Sequence, residues 1–228
     1  MTQQAQRSVV AVTGGMGSGK SSVAAHLCKI TGARSLNADT LCRELLEPEA
    51  VGWLAVRKAF GERFFLPDQR LDRPLLRKVL FEEHQFRHAL NALLHPLVRN
   101  EIASRIEQEI GRLAGAEAQS QTHFVVEVPL LYEAHWEHDF SRIVVAYADA
   151  EACRRRIMLR DRISEAEAEK AMATQMSLEH KALLADYVID NSGPWSDTCL
   201  QIAHLRNLLW EGVGFGRHAP EIENHHRL

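Results

Sequence analysis

The stretch VVAVTGGMGSGKSSVAAHL, Val9–Leu27, constrains the fold of this chain more than any other. A short valine-rich run, Val9–Val12, reads as a strand and stops at a glycine cluster. A helical pattern follows from about Ser18 to Ile30, and Gly32 ends it. Between the two, Gly14 to Ser21 fits the spacing GxxxxGK[ST]. Glycines there let the backbone curl until successive N–H groups face a phosphate chain, and the following helix adds the positive end of its dipole. Gly15, Met16, Gly17, Ser18, Gly19 and Lys20 are thus candidates for holding a nucleotide's β and γ phosphates. Ser22 lies alongside them, and the Ser21 hydroxyl is the candidate ligand for Mg²⁺.

The spacing predicts nucleotide binding and leaves the reaction open. No NKxD guanine-reading motif occurs. Asp190-Asn191-Ser192-Gly193 fits the loose pattern DxxG, but it follows the last predicted strand without companion motifs and reads as an ordinary turn.

Further strands are predicted at Arg34–Asn37, Phe124–Val128, Ile143–Tyr147 and Asp186–Asp190. Helical stretches separate them, which argues for an α/β fold: a five-stranded parallel sheet flanked by helices. Two helical regions interrupt the alternation within a single domain over 8–210. Residues 40–113, with helices expected at Ala50–Phe60, Pro74–Phe81 and Pro96–Leu113, exceed what a crossover needs and read as a helical subdomain. Residues 151–184 form a second, charged helical region, with a capping-box signature at Ser164–Glu167. The core is left to 8–39, 122–150 and 185–210, and 211–228 reads as a frayed tail.

The 228 residues, 46% hydrophobic and 25% charged, suit one globular domain. A net charge of -3 gives no global attraction to nucleic acid or to an acidic membrane, so neither is expected as a partner. Four scattered cysteines without a CxxC pair, a polar amino terminus and no membrane-length apolar run point to a cytoplasmic protein with reduced thiols. Twelve histidines lack zinc-site spacing. A monomer or weak homo-oligomer is expected.

Two readings are open for Asp39, which lies just past the second strand on the rim where open parallel sheets do their chemistry. It could orient an acceptor hydroxyl and take its proton, or cap a helix beginning at Thr40. Glu127 closes the strand FVVE, either as the second acid of a nucleotide site or as a polar strand end. Arg154, Arg155, Arg156, Arg160 and Arg162 form a solvated basic face or a lid, with Arg156 and Arg160 on one helix face. His95 precedes Pro96, a pairing that places it at a helix junction.

Taken together, AVTGGMGSGKSSVA, NADTLCRELLEP, FGERFFLPDQRLDRPLLRKVLF, LNALLHPLV, VPLLYE and ADYVIDNSG resemble, in order, the stretches of the dephospho-CoA kinase family. The resemblance runs from about Val9 to about Leu209. It implies a P-loop kinase fold with a helical CoA-binding subdomain and a helical lid. It also implies transfer of the ATP γ-phosphate, with Mg²⁺, to the ribose 3′-hydroxyl of dephospho-CoA, the last step of CoA biosynthesis. It makes Asp39 the catalytic acid/base, places Arg156 and Arg160 in the lid, and makes Arg77, His95 and Gln175 substrate-side residues. Two positions depart from the family pattern: Asn37 stands where an aspartate is usual, and Ser22 where threonine is common. Another small-molecule kinase on the same fold and a nucleotide-dependent switch are the competing functions.

Overall fold

The computed structural model describes residues 8–114 and 122–211. Its centre is a parallel sheet of five strands, β1 (Ser8–Gly14), β2 (Arg34–Asn37), β3 (His123–Glu127), β4 (Arg142–Tyr147) and β5 (Tyr187–Asp190), in the order β2-β3-β1-β4-β5. Alternate residues of each inner strand face opposite layers, and both layers are covered. Val10, Val12, Val125 and Val144 pack with α1 (Lys20–Thr31) and α9 (Trp195–Arg206). Ala11, Phe124, Val126 and Val145 pack against the other layer. Burial on both faces explains why these strands read as continuous apolar runs. No helix among the described residues is long and apolar enough to cross a membrane.

The helical stretch after β2 holds α2 (Ala38–Leu45), α3 (Val51–Phe60), α4 (Arg73–Glu82) and α5 (His84–Ala114). It has its own core, in which Leu46, Trp53, Val56, Phe64, Leu71, Val79, Leu90 and Leu94 meet. From Val98 onward, however, α5 packs into the sheet layer through Val98, Ile102 and Ile106. One helix thus serves both cores.

Pro96 corrects the expected helix junction, because α5 runs through it. A proline there removes one backbone hydrogen bond and costs about 3 kcal/mol. Leu90, Leu94, Val98, Ile102 and Ile106 recur every four residues on both sides of it, and burying that stripe outweighs the loss. Pro96 itself is exposed, so the carbonyl it strands, that of Ala92, faces water.

After β4 come α6 (Ala150–Asp161), α7 (Glu165–Met172) and α8 (Leu178–Leu184). Ser164 and Glu167 form the predicted capping box. Arg154 braces α6 to α7 through Glu165 (3.1 Å) and Glu169 (3.0 Å). Residues 212–228 of the expected tail lie outside the described residues.

Candidate active site

The phosphate loop bridges the carboxyl end of β1 and the first turn of α1. Gly19 caps that helix in left-handed geometry, with no side-chain cap and no acidic residue in the first turn. The amides of Gly17, Gly19, Lys20 and Ser21 donate to no acceptor among the described residues. Unsatisfied donors at a helix start make an anion site. Met16 is different: its N–H donates to Gln175 Oε1 at 3.1 Å. Ser18 is fully buried and turns its hydroxyl to the Gly15 carbonyl at 3.0 Å, inside the loop.

The sequence alone assigns the glycines to phosphate clearance, yet the nearer obstacle is the protein itself. A Cβ on Gly17, at φ 75°, would lie 2.5 Å from the Cys153 carbonyl oxygen. One on Gly19, at φ 84°, would lie 2.2 Å from Asn191 Nδ2. Asn191 belongs to the bracing that holds the loop, and Cys153 lies on α6 one turn before its other member, Arg156. Arg156 donates to the Gly17 carbonyl at 3.2 Å and to the Asn191 carbonyl at 2.7 Å. Asn191 in turn donates from Nδ2 to the Ser18 carbonyl at 2.8 Å. Arg156 therefore contacts the back of the loop directly, whereas Arg160 is exposed and paired with Asp161 at 2.7 Å.

Asn191 is a site residue that the sequence did not single out. The DxxG match is the expected turn: Asp190 accepts from the Ser192 amide at 2.9 Å and hydroxyl at 2.6 Å.

On the other side of the loop, β2 and β3 pair with Asn37 opposite Glu127. Glu127 Oε1 accepts from Ser21 Oγ at 2.6 Å, and Oε2 accepts from Asn37 Nδ2 at 2.7 Å. Glu127 is buried at 7% exposure and is a strand end hydrogen-bonded to both Ser21 and Asn37 rather than turned to solvent. The helix after β2 starts earlier than expected and is not capped by Asp39: α2 begins at Ala38, and its cap is Asn37, whose Oδ1 accepts from the Thr40 amide at 2.9 Å. Asp39 is left with no hydrogen-bond partner among the described residues and free to face the rim.

Electrostatics tie Asp39 to the loop. The surrounding protein raises its carboxyl above the ordinary aspartate range although the side chain still reaches solvent. The charges of Lys20 and Arg43 pull it back down, while Glu127 adds to the rise. Burial lowers the Lys20 ammonium, opposed by Glu127 and Asp39 and reinforced by Lys181 and Arg160. An ammonium, a hydroxyl and two carboxylates thus lie within interaction range of one another. Ser21 Oγ beside Glu127 supplies the hard oxygen donors that Mg²⁺ prefers, so these residues fit that ion.

A cavity of about 500 Å³ opens between the helical subdomain and the end of α7, lined by Arg73, Arg77, Arg87, Asn91, Glu133 and Gln175, among others. Arg77 has no hydrogen bond or ion pair within contact distance among the described residues, and its charge acts on Asp161 from further off. Arg77 and Gln175 come together here. His95 does not line the cavity; it sits one turn beyond Asn91 on α5, with its ring edge-on to Trp136 at 5.6 Å. Burial alone lowers its imidazole below the ordinary value.

A family model described as dephospho-CoA kinase matches residues 8–197. A dephospho-CoA kinase of Symbiobacterium thermophilum is 36% identical over 218 residues, covering 96% of this chain and 87% of that one. One from Arabidopsis thaliana is 36% identical over 207 residues, covering 89% and 86%. Among solved structures, a Thermus thermophilus protein superposes with a TM-score of 0.73 at 28% identity, over 92% of this chain and 100% of that one. A dephospho-CoA kinase from Campylobacter jejuni shares the fold, with a TM-score of 0.61 at 21% identity over 90% and 98%. The family match spans the phosphate loop, the rim that carries Asp39 and the arginine cavity, and the chain belongs to the dephospho-CoA kinase family.

Proposed function

We propose that this chain transfers the γ-phosphate of ATP to the ribose 3′-hydroxyl of dephospho-CoA, giving CoA and ADP. The observation that carries the reading is Asp39, which makes no hydrogen bond among the described residues, stands just past the end of β2 and interacts by charge with Lys20 of the phosphate loop and with Glu127. The Gly17, Gly19, Lys20 and Ser21 amides and the Lys20 ammonium hold the β and γ phosphates. Arg77 and Gln175 on the cavity wall hold the acceptor, with His95 one turn beyond Asn91 on the same helix. The acceptor's diphosphate bridge is the anionic group that such an arginine-rich wall suits.

Asp39 orients the 3′-hydroxyl towards the γ-phosphorus. As that oxygen bonds to phosphorus, the bond to the β,γ-bridging oxygen breaks and the hydroxyl proton passes to the Asp39 carboxylate. Ser21 and Glu127 would hold Mg²⁺ directly or through water, and the ion would neutralise charge on the β and γ phosphates.

Arg156 holds the Gly17 carbonyl and so fixes the loop's shape. Arg160, exposed on the same face of α6, is free to exchange Asp161 for a phosphate. With Arg156 pinned to the loop and α8 buried against it, the moving lid narrows from 151–184 to α7 and its connections. Its closure excludes water, which would otherwise accept the phosphoryl group.

Incubation with Mg·ATP and dephospho-CoA should give CoA and ADP in equal amounts by chromatography. Conversion of a nucleoside monophosphate instead would keep the fold and reject this acceptor. Slow acceptor-independent hydrolysis would indicate a switch.

A further inference from the structure

Lys181 on α8 has no exposed surface at all, an unusual place for a lysine. Its ammonium donates to the Pro129 carbonyl at 3.0 Å, lies 3.5 Å from the Gly14 carbonyl and pairs with Glu133 Oε1 at 2.9 Å. Gly14 is the last residue of β1 and opens the phosphate loop, while Pro129 follows β3. The same Glu133 oxygen accepts from the Met176 amide at 2.9 Å. Two residues of the same segment touch the loop as well. Gln175 takes the Met16 amide, and the Leu178 side chain would lie 3.1 Å from a Cβ on Gly15. Residues 175–181 thus contact the Gly14–Met16 half of the loop, while Arg156 and Asn191 brace its Gly17–Ser18 half.

Glu133 and Gln175 also line the arginine cavity. The buried pair therefore touches both halves of the site, the acceptor side through Glu133 and the nucleotide side through Lys181. Packing does not require it: a buried ion pair is often no more stabilising than apolar side chains of the same volume. The charge on Lys181 also reaches the site, since it helps lower the Lys20 ammonium.

We propose that Glu133 and Lys181 are a positioning pair that couples the two substrate sites. Occupancy of the arginine cavity bears on Glu133 and Gln175, and through Lys181 and Gln175 it fixes the Gly14–Met16 half of the phosphate loop. Acceptor and nucleotide then bind more tightly together than apart. This rests on dephospho-CoA being the acceptor.

The test uses ADP and dephospho-CoA, which together cannot react, in titration calorimetry of the full chain. Dephospho-CoA should tighten ADP binding about 5-fold or more in the parent, within the range usual for coupled sites. Glu133→Gln should bring that factor to about 1 while ADP still binds alone. Each single variant leaves the other charge without its partner, Glu133→Gln the Lys181 ammonium and Lys181→Met the Glu133 carboxylate, so loss of stability could obscure either result. The double variant Glu133→Gln/Lys181→Met removes both buried charges, and its thermal unfolding controls for stability. Parent-like unfolding with a factor of about 1 supports positioning over mere structural support. A parental factor in Glu133→Gln or in a folded double variant overturns the proposal. So does a parent in which dephospho-CoA binds without changing ADP affinity, and that result leaves the acceptor reading intact. Failure of dephospho-CoA to bind the parent at all overturns both.

Discussion

Asn37 and Glu127 face each other across the β2–β3 pairing, joined by a 2.7 Å hydrogen bond from the amide to the carboxylate. The amide performs two tasks at once, because its oxygen caps α2 at Thr40 while its nitrogen holds Glu127. An aspartate could do the first but not the second. Asn37→Asp should keep the cap yet set two carboxylates against each other, lowering stability by about 1 kcal/mol or more without metal. Mg²⁺ should recover part of that loss. Thermal unfolding of parent and variant, in chelator and in Mg²⁺, measures both effects. Asn37→Ala should lose the cap as well, at a cost of about 0.5–2 kcal/mol.

Asp39→Asn should lower turnover by about 10²–10⁴-fold, the usual worth of a positioned acid/base. Because Asn37 holds the helix cap, the fold should survive the change, as unfolding no less stable than the parent's would show.

The same residue predicts a pH dependence. Its carboxyl is raised in the folded state, chiefly by burial, so folding favours the protonated form. The stability this group contributes is present below the ordinary aspartate value, about 3.9, and is lost as pH rises through the folded value. Asp39→Asn should therefore be stabilised relative to the parent at pH 7, with the difference vanishing as pH falls below the ordinary aspartate value. The acid limb of the parent's kcat/KM profile should lie above about pH 4.

Arg156→Ala removes the donor that satisfies the Gly17 and Asn191 carbonyls. Leaving partly buried carbonyls unpaired costs about 1–3 kcal/mol. Nucleotide affinity and turnover should both fall, because the loop loses its back brace. Arg160→Ala should leave stability within about 0.5 kcal/mol, since its ion pair with Asp161 is exposed, and lower turnover alone. Calorimetric ADP binding and steady-state kinetics separate the two roles.

Pro96→Ala should stabilise the protein by restoring a hydrogen bond inside α5, by up to about 3 kcal/mol, with turnover unchanged. Denaturant unfolding measures it.

The sheet was legible because its strands are buried on both faces, so Val9–Val12, Phe124–Val128 and Ile143–Tyr147 stood out as apolar runs. The phosphate loop was legible because its residues are adjacent in sequence. What escaped is what comes together only in three dimensions. Asn191 reaches the loop from 173 positions away, and Lys181 from 167. A lone lysine in a seven-residue helix carries no sign of burial, and Asn191 lay hidden in a turn motif. Pro96 misled because local backbone rules favour a junction, whereas the buried stripe on both sides of it favours continuity. Asp39 as a cap failed for a related reason: Asn37, two positions earlier, is an equally good cap and already sits at the strand end.

The continuity of α5 has a mechanical consequence. At 1.5 Å per residue its 31 residues form a rod about 46 Å long. The rod is clamped to the sheet from Val98 onward and carries the helical core on its first half. A tilt of about 5° at the clamp would swing His84, some 20 Å away, by about 2 Å. Arg87 and Asn91 ride on that arm, so the width of the arginine cavity is geared to the angle of a single shaft rather than to the slack of a linker.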